Sequence, residues 1–142
     1  MIDSYGREIT YMRVSVTELC NLRCRYCMPE DGVCKKSHEE MLTEDEMIQA
    51  IEAAASLGIR KLRITGGEPL IKKNIVSICR RAAAVPGIRE VCITTNGTLL
   101  PALAEPLREA GVSVTAPSPR RPVRKSRNIN RVSHRNRRSA YP

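Results

Sequence analysis

Residues 11–32 read YMRVSVTELCNLRCRYCMPEDG, and the change of character within that stretch decides the architecture. Its opening, 11–17, alternates side-chain character and is rich in β-branched residues, as a half-buried strand would be. A loop carrying three cysteines follows at once, and Met28 to Gly32 continue it with turn residues. The same theme then repeats. Residues 60–65, RKLRIT, read as a second strand ending in the turn GGEP, and 89–95, REVCITT, as a third ending in NG. Between the strands lie helices. Thr43 and Glu46 make an N-cap and capping-box pair, because hydroxyl and carboxylate satisfy free amide donors. From there EDEMIQAIEAAASL sets Met47, Ile48, Ile51, Ala54, Ala55 and Leu57 on one face, with Gly58 as the C-terminal stop. A second helix is predicted over 72–84 and broken by Pro86-Gly87; a third spans 99–110, and a fourth strand, VSVT, begins at Val112. Each functional-looking motif sits just after a strand's C-terminal end. The repetition predicts an α/β fold with a parallel sheet or barrel, in which sites collect along that edge.

The chain's 142 residues suffice for one ordinary domain, and an apolar content of 42% allows a core. Four Tyr, with no Phe or Trp, argue against a base-stacking surface. The net charge of +9 is localised: residues 1–110 balance 15 basic against 15 acidic side chains, so the excess lies wholly in 111–142. That tail, with its mixture of Pro, Ser, Asn and Arg, has no helical or strand period and almost no large apolar residue, and is expected to be disordered. Two segments follow: 1–110 as the folded part and 111–142 as an Arg-rich tail. No run approaches the roughly 18–20 apolar residues of a membrane span. MIDSYGREIT lacks the basic and apolar regions of a secretory signal, so a cytoplasmic, thiol-reducing location is expected.

Cys20, Cys24 and Cys27 form C-x₃-C-x₂-C. Thiolates are soft ligands suited to iron–sulfur clusters or zinc. Three of them on a 4Fe–4S cube leave one iron without a protein ligand, open to a small chelating molecule. The alternative is structural zinc with Cys34 as fourth thiolate. Zinc sites usually present a second ligand pair, however, and Cys34 lies seven residues after Cys27 without one. Disulfides are the poorer third choice in a reducing compartment. Cys79, in a helical run, and Cys92, in a strand, read as buried small hydrophobes. GGEP taken alone is a turn, and NG could equally be one. Arg13, Lys61 and Arg63 lie near strand ends, where the bland reading is a solvated edge. Arg13 and Arg63 alternate with apolar neighbours, so they could point together and grip phosphate oxygens with bidentate bonds. His38 and His134 are isolated and read as surface residues.

The three-cysteine loop with Tyr26 just before its last cysteine resembles the hallmark of the radical S-adenosylmethionine (radical SAM) superfamily. The flanks are more specific. DSYGREITYMRVSVTELCNLRCRYCMPEDG, HEEMLTEDEM, KLRITGGEPL and ITTNG, in order and with matching spacing, are similar to the GTP 3′,8-cyclase family of molybdenum-cofactor biosynthesis, from about residue 2 to 111. The resemblance implies the first three to four βα units of a partial, TIM-like barrel. It implies a 4Fe–4S cluster on Cys20, Cys24 and Cys27, and S-adenosylmethionine bound through Tyr26, Gly66, Gly67 and Glu68, with GGEP taking the methionine amino group. It also implies GTP as substrate, held by Arg13, Arg63 and Thr94, with Lys61 on the same edge. In the family's reaction, one electron from the cluster cleaves S-adenosylmethionine to methionine and a 5′-deoxyadenosyl radical. That radical takes the 3′ hydrogen of GTP, and the ribose carbon then attacks C8 of guanine.

The family continues well beyond this length, carries a second cysteine trio, and can form homo-oligomers. Here the text after AGV turns Arg-rich and loses its acidic residues, which predicts an out-of-frame or truncated product, inactive alone. No membrane or nucleic-acid partner is expected. The competing class is a small zinc module whose basic tail binds nucleic acid through phosphates; it leaves GGEP and the βα repetition unexplained.

Overall fold

Burial with a period of two organises the sheet. The structure, a computed structural model, describes residues 2–24, 27 and 41–117. In β1 (Tyr11–Ser15) Met12 and Val14 pack toward the helices while Tyr11, Arg13 and Ser15 are exposed. In β2 (Lys61–Thr65) Leu62 and Ile64 are buried, and in β3 (Glu90–Thr95) Val91 and Ile93. With β4 (Val112–Pro117) the strands form one sheet in the order β1-β2-β3-β4, every pair parallel. The register sets Arg13 opposite Arg63, and Arg63 opposite Cys92. The parallel α/β reading of the sequence holds.

The helices return each strand to the same edge. α1 (Glu44–Ser56) begins at the predicted capping box: Thr43 Oγ1 accepts from the Glu46 amide at 3.2 Å, and Glu46 Oε2 accepts from the Thr43 amide at 2.8 Å. Met47, Ile48, Ile51 and Ala55 are buried, but Leu57 is 59% exposed, contrary to its expected place on that face. Leu57 is the C-cap, already past the stripe, and Gly58 at φ +103° turns the chain away behind it. α2 (Ile75–Ala84) starts later than predicted because a 3₁₀ turn, Pro69–Ile71, occupies the approach. α3 (Leu100–Glu109) follows β3. One core cluster joins Ile51, Leu62, Ile64, Ile75, Ile78, Ile93 and Leu107, so all three helices cover the same face of the sheet.

α1 and α2 are also joined by polar contacts. Glu44 accepts from Asn74 Nδ2 and Ser77 Oγ, both at 2.6 Å, and from Arg81 Nη1 at 3.1 Å; Arg81 also reaches Asp45 at 2.7 Å. Cys79 is buried among the helices, where burial pushes its thiol up to about 12, as a small hydrophobe's would be. Cys92 is buried too, but it stands outside that core and its thiol donates to Glu90 Oε1 at 3.0 Å. Among the described residues no helix is long and apolar enough to cross a membrane. Tyr26, Cys34, His38, His134 and the tail from residue 118 lie outside the described residues.

Candidate cofactor and substrate site

The C-terminal ends of parallel strands share one edge of a sheet, so the segments after β1, β2 and β3 are brought together by topology alone. Main-chain hydrogen bonds then bind the first two. The Val16 amide donates to the Thr65 carbonyl at 3.0 Å, the Gly67 amide to Thr17 at 2.7 Å, and the Glu68 amide to Leu19 at 2.8 Å. The β1–β2 ladder thus runs on past both strands and joins the start of the cysteine loop to the GGEP turn. The two glycines make this possible. A Cβ on Gly66 would collide with the Thr17 carbonyl, and one on Gly67 with the carbonyls of Leu19 and Glu18. Gly66 also holds φ +148°, a conformation side chains disfavour. The sequence suggests glycines that let backbone approach a ligand; the close approach found here is to the chain's own cysteine segment.

Within the loop, Cys20 and Cys24 are partly buried and Cys27 is exposed. Leu22 is buried and anchors the loop, and its amide donates to Cys20 Sγ at 3.4 Å. Arg23 Nη1 donates to the carbonyls of Cys20 at 2.9 Å and Leu22 at 3.1 Å, and the Cys27 amide to the Cys24 carbonyl at 2.9 Å. Burial pushes the Cys20 thiol up, the Leu22 amide pulls it down, and negative charge on Glu68, Cys24 and Cys27 raises it further. The bond from the Cys27 amide to the Cys24 carbonyl keeps the second and third cysteines on one turn of the loop. Among the described residues no three His, Cys, Asp or Glu side chains close around a point for a single metal ion. A cube of four irons takes its thiolates farther apart than a single ion does, and its positive irons would relieve the crowding of charge. The donor set fits such a group.

Glu68 is 1% exposed and accepts three hydrogen bonds. Its Oε1 accepts from the Leu70 amide at 3.0 Å and Thr95 Oγ1 at 2.7 Å, and its Oε2 from the Asn96 amide at 2.6 Å. The carboxylate faces inward and ties the GGEP turn to the end of β3. Gly66 and Gly67 are exposed at this turn, whereas the Glu68 carboxylate faces inward. Asn96, to which the sequence assigned no role, extends the tie: its Nδ2 donates to Asn21 Oδ1 at 2.8 Å and lies 4.0 Å from Cys20 Sγ. Asn21 Nδ2 in turn donates to Thr98 Oγ1 at 2.8 Å. The signal was available, since Asn96 is the first residue after β3 on the edge where the other motifs gather.

The face of the sheet opposite the helices carries the basic candidates. Arg63 Nη1 donates to Thr94 Oγ1 at 3.3 Å, which brings two of the predicted substrate residues together. Arg13, the third, is exposed beside them and donates from Nε to the Tyr11 hydroxyl at 3.1 Å. Burial pushes the Tyr11 phenol up, but Arg13 and Arg63 outweigh it and hold the phenol below its ordinary range. Tyr11 escaped the sequence reading, although its position two residues before Arg13 on one strand placed it on the same face. Lys61 is taken up by Glu90 at 2.8 Å. The strip offers two guanidinium groups, a hydroxyl and a phenol, a set suited to an anionic ligand.

A family model described as the Radical SAM superfamily matches residues 14–140, which carries the match through the Arg-rich segment. Among curated proteins, a GTP 3′,8-cyclase from Alkaliphilus oremlandii is 54% identical over 112 residues, covering 79% of this chain and 35% of the relative. Proteins of the same name from Geobacter sulfurreducens and Pelotomaculum thermopropionicum are 53% and 52% identical, with 79% of this chain and 34% of each relative covered. The chain thus spans about a third of the length of the curated relatives it matches.

Proposed function

The chain belongs to the radical SAM superfamily, and from that premise we propose that it is the cofactor-binding part of a GTP 3′,8-cyclase, a lyase of molybdenum-cofactor biosynthesis. Cys20, Cys24 and Cys27 hold a 4Fe–4S cluster, and S-adenosylmethionine lies against Tyr26 and the main chain of Gly66, Gly67 and Glu68. When bound, the cluster supplies the electron that cleaves S-adenosylmethionine. The chain's own residues position and shield. Glu68 fixes the GGEP turn against the end of β3 by accepting from Thr95 and Asn96, and braces the turn by accepting from the Leu70 amide, so the turn presents a rigid main chain. Arg13, Arg63 and Thr94 hold GTP on the polar face, the guanidinium groups meeting phosphate or base oxygens. Tyr11 orients Arg13 toward that ligand.

The observation that carries this reading is the run of main-chain hydrogen bonds from Val16 to Glu68, which sets the start of the three-cysteine loop beside GGEP at the strand ends. Anaerobic reconstitution with iron and sulfide, then reduction and electron paramagnetic resonance, tests it. A reduced 4Fe–4S signal that changes on adding S-adenosylmethionine is the expected result. Zinc alone, or a signal indifferent to S-adenosylmethionine, would overturn it.

A further inference from the structure

The Asn96 side chain is held in one orientation. Its Oδ1 accepts twice from Thr98, from the amide at 3.0 Å and the hydroxyl at 2.8 Å. The Nδ2 group must therefore face the other way, and its two hydrogens have two acceptors there: Asn21 Oδ1 at 2.8 Å and Cys20 Sγ at 4.0 Å. The Asn96 amide is gripped by the buried Glu68 at 2.6 Å, so the side chain is anchored at its base as well as its tip. Only two donors are directed at the Cys20 sulfur among the described residues, the Leu22 amide and Asn96.

Resting on the reading of the cysteine loop as a cluster site, we propose that Asn96 is a positioning residue that donates to the Cys20 sulfur and raises the reduction potential of the cluster held there. Adding an electron to an iron–sulfur cluster places more negative charge on its sulfurs, so an N–H group aimed at one of them stabilises the reduced state more than the oxidised. The contact also gives the GGEP turn a route to the cluster, since Glu68 holds the residue that makes it.

The test compares the whole 142-residue chain with its N96L and N96A variants. Each is reconstituted anaerobically and titrated against dithionite, with the reduced cluster followed by electron paramagnetic resonance. The expected result is an iron and sulfide content equal to that of the unsubstituted chain, with the midpoint displaced to more negative potential in both variants. An unchanged midpoint in a variant that keeps its cluster overturns the inference. Loss of the cluster from both variants overturns it too, because the residue would then hold the loop and not tune the sulfur. A cluster absent even from the unsubstituted chain is a different failure: it removes the reading of the cysteine loop itself, and this inference with it.

Discussion

At the scale of single residues, Glu68 shows how one buried carboxylate can hold a turn against a neighbouring strand. Its carboxylate accepts from two main-chain amides and one hydroxyl while almost wholly buried. Replacement by glutamine keeps the shape but turns one acceptor into a donor. Whichever way the new amide sits, its NH₂ group faces the amide of Leu70 or of Asn96, and that amide loses its partner. E68Q is therefore expected to lose about 1–3 kcal/mol of stability, read from urea unfolding. A variant as stable as the parent would show that the buried contacts are dispensable. The motif itself was legible in the sequence, as were the three cysteines. What lay opposite the glycines was not, because the partners at Thr17 and Leu19 are some fifty residues away along the chain and only the parallel register brings them close.

Among the elements, the junction of α1 and α2 carries a pH dependence whose sign can be worked out. The Ser77 hydroxyl is the main influence holding Glu44 below its ordinary value of 4.5, with Asn74 and Arg81 adding to it against a smaller opposing effect of burial. A carboxyl whose pKa is depressed on folding contributes stability above its unfolded pKa and loses it as the pH falls through the folded one. Acidification from about pH 5 downward should thus weaken the junction, and E44Q should flatten that part of the stability profile while lowering the plateau near neutrality. Thermal unfolding of both proteins across pH 3–7 measures this; parallel profiles would contradict it. Most element boundaries could be read from the sequence because periodicity, caps and Gly breaks agree. α2 is the exception. Its predicted start at residue 72 failed because Pro69 nucleates a separate turn, a local preference that a helical pattern does not reveal.

For the molecule as a whole, one face of the sheet is sealed by three helices while the other keeps Arg13, Arg63 and Thr94 on a polar strip. Two guanidinium groups on one strip can orient an anion. The parallel architecture was readable from the strand-loop-helix repetition, whereas the pairing of Arg63 with Thr94 depended on lateral register. The strand order has a consequence for synthesis. Because β1, β2, β3 and β4 lie side by side in the order they are made, no strand has to be inserted between two that are already paired. A nascent chain leaving the ribosome N-terminus first always finds the edge it needs already built, so the sheet can grow by accretion. The cysteine loop and GGEP belong to its first two strands, and would meet before the third had emerged.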